Sequence, residues 1–102
     1  MNKSNRTVIL LGSTGYTGGI IAELLDSRGV QFMAYGRNSE KLQIIKKTHR
    51  NCMGIRLFNI GDDDLFSILT PNHLVVNCIG PFNVYGREIV TACVNAGACY
   101  ID

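Results

Sequence analysis

Apolar and polar positions fall into short alternating blocks along this chain. Residues 8–11 are uniformly apolar and open into glycines, and residues 20–25 follow with an amphipathic pattern. That order predicts a strand, a glycine turn and a helix. Gly29 is a plausible stop for the helix. Residues 31–35 read as a second strand, left through Gly36, Arg37, Asn38 and Ser39. Asn38 or Ser39 can cap a helix running to about Lys47, with Leu42, Ile44 and Ile45 apolar and the lysines outside.

Residues 48–53 read as a loop and residues 55–60 as a third strand. Asp62, Asp63 and Asp64 precede a short helix ended by Pro71. Their place at a helix start explains the three acids through capping and the helix dipole, without a metal. Residues 74–79 are nearly all apolar, as expected of a strand covered on both faces. Residues 85–95 form a further helix, with Ile89, Val90, Cys93 and Val94 on one stripe, and residues 99–102 begin a fifth strand.

Strands alternating with helices at short spacing imply a parallel sheet with right-handed crossovers. The predicted class is α/β: a three-layer, Rossmann-like domain of about five strands in the order 3-2-1-4-5. Such sheets bind ligands beyond the carboxyl ends of their strands, at the switch between strands 1 and 4. That rule brings the turn after strand 1 beside Cys78, Ile79, Gly80 and Pro81.

The turn itself carries the chemistry. Gly12, Gly15 and Gly18 stand at G-x-x-G-x-x-G spacing between strand and helix. In a dinucleotide fingerprint the first glycine permits the sharp turn, the second admits a pyrophosphate, and the third lets helix pack on sheet. Ser13, Thr14, Tyr16 and Thr17 fill the gaps, and the free N–H groups at the helix start would face the phosphates. A tight turn without ligand is the plainer alternative. No G-K-[ST] follows, which disfavours a P-loop.

Composition narrows the class further. With 102 residues, 46% hydrophobic, the chain has enough apolar material for one domain with a core. A net charge of +2 on scattered lysines and arginines gives no footprint for nucleic acid. No apolar run approaches a membrane span, and no signal-like stretch follows the polar start, so a cytoplasmic protein is expected. Cys52, Cys78, Cys93 and Cys99 form no C-x-x-C pair and lie at no ligand spacing from His49 or His73, so no metal site is expected.

Arg37 points to the nucleotide. An NAD site usually places an acid at the end of strand 2 for the ribose 2′-hydroxyl. Here a guanidinium stands there, followed by Asn38, and it can grip a 2′-phosphate in bidentate fashion. NADP(H) is therefore expected over NAD(H), the alternative for Arg37 being a solvated turn residue. Enzymes of S-adenosylmethionine also favour an acid at this place, so Arg37 counts against them.

Together these segments resemble a known family. Gly12 to Gly18, Tyr35 to Asn38, the run Asn77-Cys78-Ile79-Gly80-Pro81-Phe82 with Tyr85 and Gly86, and Tyr100-Ile101-Asp102 occur in one order and spacing. The chain resembles the N-terminal NADP-binding domain of the saccharopine dehydrogenase-like oxidoreductases, which include the trans-acting enoyl reductases. The resemblance implies cofactor contacts at the glycine turn, at Arg37 and Asn38, and at Cys78, Ile79, Gly80 and Pro81 beside the nicotinamide. Asn77 is expected to tie neighbouring backbone, a structural role being at least as good a reading as a catalytic one.

Family members continue past the Y-x-D segment into a G-E motif and a substrate domain, neither of which is present here. The expectation is a single nucleotide-binding domain over residues 1–102, whose partner is the missing C-terminal domain or a separate subunit. No residue is a convincing general acid or base, and Tyr16 and Tyr85 are better read as packing or stacking groups. Such a chain should bind NADP without turnover. A non-enzymatic NADP-binding sensor or partner module would look the same, and a bare fragment unable to hold cofactor is a third reading. The free edge of strand 5 and the apolar face beside it would favour a homodimer.

Overall fold

The computed structural model describes residues 6–58, 67–79 and 82–101, with side chains for all of these except 82–86. The element order is β1 (Thr7–Leu11), α1 (Tyr16–Ser27), β2 (Phe32–Gly36), α2 (Ser39–Thr48), β3 (Cys52–Leu57), β4 (His73–Asn77), α3 (Phe82–Ala96) and β5 (Cys99–Ile101). The five strands form one sheet in the order β3-β2-β1-β4-β5, and every neighbouring pair is parallel. The Rossmann-like topology expected of the alternating pattern is the one observed.

β1 is the centre of the sheet, and its sequence explains why. Val8, Ile9, Leu10 and Leu11 are all buried, and alternation sends them to opposite faces. Val8 and Leu10 join Ala22 of α1 and Leu42 and Ile45 of α2 in one core. Ile9 and Leu11 join Val75 with Ile89 and Cys93 of α3 in the other. Each fully buried aliphatic side chain contributes about 1.5–3 kcal/mol, so a continuous apolar run is stable only where both faces are covered.

Boundaries depart from the sequence pattern at three places. α1 starts at Tyr16, so Gly18 and Gly19 lie inside its first turns. β4 spans His73–Asn77, and Cys78 and Ile79 already belong to the loop beyond it. β3 begins at Cys52, three residues before the predicted start, in a stretch whose mixed exposure hides the strand pattern. Its start is fixed by an anchor instead. Asp26 Oδ1 accepts from the Asn51 backbone N–H at 2.8 Å and from Nδ2 at 2.9 Å, tying the end of α1 to the entry of β3. Asn51 O in turn accepts from Phe32 N at 3.0 Å, and the pairing register with β2 shifts between Phe32 and Met33. Ile60, Asp62 to Asp64 and Asp102 lie outside the described residues; of the short helix expected after the three acids, Ser67 and Ile68 are helical.

Two capping details follow the pattern. Asn38, not Ser39, caps α2, its Oδ1 accepting from Lys41 N at 2.9 Å. Gly29, one residue past the α1 cap Arg28, takes a φ of 70°.

Candidate functional site

The exits of β1, β2 and β4 meet at one end of the sheet. Gly12 leaves β1 with a φ of 77°, a left-handed conformation that disfavours any side chain. Space imposes the same choice. A Cβ at Gly12 would stand 2.9 Å from the Cys78 carbonyl carbon and 3.0 Å from Ile79 N. The β1 and β4 exits therefore run against each other, with Cys78 N donating to Leu11 O at 2.9 Å.

The turn is fastened to β2 by one carbonyl. Tyr35 O accepts from Gly12 N at 2.9 Å, Ser13 N at 3.0 Å and Ser13 Oγ at 3.0 Å. Ser13 is buried, so its hydroxyl needs such a partner. The next residue reaches the end of β2 as well: a Cβ on Gly36 would lie 2.8 Å from Thr14 Cγ2. Burial raises the Tyr35 hydroxyl above its ordinary pKa, Arg56 opposing the shift, and its ring packs obliquely on Phe58. Tyr35 thus serves the site through its backbone.

The three glycines differ in what compels them. A Cβ on Gly18 would overlap the Gly12 carbonyl oxygen and lie 2.7 Å from the Gly12 carbonyl carbon and from Ser13 Cα. At Gly15 the same atom meets only Gly12 O, at an ordinary 3.5 Å, and the backbone is extended with a φ of −87°. The protein itself does not require glycine there. The residue is exposed and caps α1 without a side-chain hydrogen bond, and no acid occupies the first turn. α2, by contrast, has both Asn38 and Glu40 at its start. An open helix start with room above its middle glycine suits a dianionic pyrophosphate, so the residues present fit the group the sequence implies.

The remaining expected site residues take clear places. Tyr16 (87% exposed) and Thr17 sit on the open start of α1. Arg37, the residue directly after β2, is exposed. Asn38 has its Oδ1 engaged in the α2 cap. Cys78 and Ile79 are half-buried opposite Gly12, and burial pushes the Cys78 thiol up, so the neutral form dominates at pH 7. Gly80 and Pro81 lie outside the described residues, as does the Tyr85 side chain.

Asn77, buried at the end of β4, is tied on both sides. Its Oδ1 accepts from Ile79 N at 2.9 Å, and its Nδ2 donates to the Tyr100 hydroxyl at 2.9 Å. Sequence reasoning expected the first kind of bond. It missed Tyr100, whose partnership spans strands and has no local signature.

Cys52, Cys78, Cys93 and Cys99 are free thiols. Among the described residues no group of His, Cys, Asp and Glu could hold a metal, and no helix is long and apolar enough to cross a membrane.

Known proteins are similar to this chain in sequence and in fold. A family model, the saccharopine dehydrogenase NADP binding domain, matches residues 8–102. A Caenorhabditis elegans lipid droplet localized protein is 29% identical over 97% of the chain and 26% of its own length. An Arabidopsis thaliana protein named as a mitochondrial saccharopine dehydrogenase-like oxidoreductase is 30% identical over 93% of the chain and 24% of its own length. A Mycobacterium tuberculosis protein carrying the name of a trans-acting enoyl reductase is 28% identical over 93% of the chain and 24% of its own length. Among solved structures, the yeast methylglyoxal/isovaleraldehyde reductase complexed with NADPH superposes with a TM-score of 0.66 at 16% identity, over 89% of this chain and 34% of the reductase. The chain spans about a quarter of the length of the curated relatives it matches.

Proposed function

The chain belongs to the saccharopine dehydrogenase NADP-binding domain family, and from that premise we propose that it binds NADP(H) across the β1–β4 switch and aims the nicotinamide for hydride transfer. The pyrophosphate lies on the open start of α1, against the N–H groups of residues 16–18. Arg37 grips the adenosine 2′-phosphate, with the Asn38 amide beside it. Cys78 and Ile79, continuing into Gly80 and Pro81, wall the nicotinamide half.

One observation carries this reading. Gly12 and Gly18 are demanded by the protein's own packing, whereas Gly15 is not. A glycine whose own packing leaves room above it, at a helix start without a side-chain cap, is what close approach by a phosphate needs.

The hydride belongs to the nicotinamide, and the protein's part is to bind and orient it. No general acid or base stands among the described residues of the cleft, and the Cys78 thiol is held neutral. This chain alone therefore binds cofactor without turnover, and substrate groups come from a further domain or subunit, such as the added length of the relatives provides. A cytoplasmic setting and self-association through β5 belong to the same proposal. Titration of the 102-residue chain with NADPH, followed by nicotinamide fluorescence, tests it. Saturable binding without oxidation of NADPH by carbonyl or enoyl compounds is expected. Absence of binding, or turnover by this chain, would overturn it.

A further inference from the structure

Asn77 sits in a strand whose neighbours Leu11 and Val75 are buried, and is itself only 6% exposed. A primary amide there must find partners, since a buried polar group left unmatched loses its hydration without compensation. Ile79 N–H fixes which end of the amide faces the loop, because a flipped amide would set donor against donor. The Tyr100 hydroxyl holds the other end from β5, the outermost strand.

The loop so held is the one that Gly12 closes upon. Its Cys78 carbonyl carbon and Ile79 nitrogen would lie 2.9 and 3.0 Å from a Cβ on Gly12. A continuous set of contacts therefore runs from Tyr100 through Asn77 and Ile79 to the glycine turn. Tyr100 lies two strands away from β1, yet its hydroxyl bears on the wall opposite the turn.

We propose that Tyr100 is a positioning residue for cofactor binding: its hydroxyl orients Asn77, and Asn77 sets the Cys78–Ile79 backbone against which the nicotinamide half of NADP(H) rests. The inference rests on the NADP reading above. The adenosine half is held elsewhere, at Arg37 and the α1 start, so the effect of Tyr100 is confined to one end of the dinucleotide.

The test compares NADPH with adenosine 2′,5′-bisphosphate, which carries the 2′-phosphate but no nicotinamide. Tyr100→Phe keeps the ring and removes only the hydroxyl. It is expected to weaken NADPH by about three- to tenfold, the worth of one hydrogen bond, while leaving the bisphosphate affinity unchanged. In an Asn77→Ala background the same substitution should have no further effect, since the two residues act as one unit. Equal weakening of both ligands, no weakening of either, or additive effects in the double variant would overturn the inference. Wild-type chain binding neither ligand would overturn the NADP reading and the inference with it. Binding of the bisphosphate by Tyr100→Phe also reports that this variant is folded.

Discussion

Gly18 lies so close beneath Gly12 that a methyl group on Gly18 would overlap the Gly12 carbonyl. The obstruction is backbone on both sides, so neither residue can give way by a side-chain rotation. Gly18→Ala is expected to destabilise the fold by at least about 1–3 kcal/mol, lowering the melting temperature by about 4–8 °C per kcal/mol. Gly15→Ala should lower the melting temperature much less, by no more than the poorer capping of alanine, because its Cβ meets one atom at ordinary distance. It should nevertheless weaken NADPH. Paired thermal melts and titrations check the contrast, and a Gly15→Ala variant that binds as well as wild type would refute the role given to that glycine.

Cys78 is expected to be a slow thiol. Burial holds it in the neutral form, so alkylation at pH 7 should be slower than that of a free cysteine and should quicken as pH rises. NADPH should slow it further by covering the wall to which Cys78 belongs. Mass-spectrometric labelling with and without cofactor measures both effects.

The Asp26–Asn51 contact predicts an acid-dependent term in stability. Hydrogen bonds from the Asn51 backbone and side chain, the largest causes, hold the Asp26 carboxyl below its usual range. A depressed folded pKa gives stability that is complete above the unfolded value, near 4, and is lost as pH falls through the folded one. Wild type should therefore exceed Asp26→Asn in denaturant midpoint at neutral pH, with the gap narrowing below about pH 4. A gap independent of pH would contradict the assignment.

Ile101 on β5 is 52% exposed, and Ile20 and Leu24, one turn apart on α1, are also exposed. These apolar groups and the outer edge of β5, which pairs with no strand among the described residues, predict self-association that grows with concentration. Ile101→Lys should reduce it in light scattering. A monomer at every concentration would contradict the expectation.

The fold was legible because Val8 to Leu11 of β1 and Leu74 to Val76 of β4 are unbroken apolar runs and apolar positions recur at helical spacing between the strands. β3 was read late because an edge strand carries mixed polarity, and its start is set by Asp26, 25 residues back in the chain. The glycine turn was legible as a motif, but its fastening to β2 was not. That fastening runs through the Tyr35 carbonyl, and every residue type has one. Asn77 announced itself as a polar residue in an apolar strand. Its partner Tyr100 could be found only once β4 and β5 were side by side.

The central claim is that residues 12–18 and Arg37 together hold NADP(H), with the 2′-phosphate on the guanidinium. Titration of wild type and Arg37→Ala with NADPH and NADH tests it most directly. Wild type should prefer NADPH, and the substitution should weaken NADPH by about tenfold or more, the value of a charge-assisted hydrogen bond, while scarcely changing NADH. Equal loss for both nucleotides, or none for either, would contradict the account.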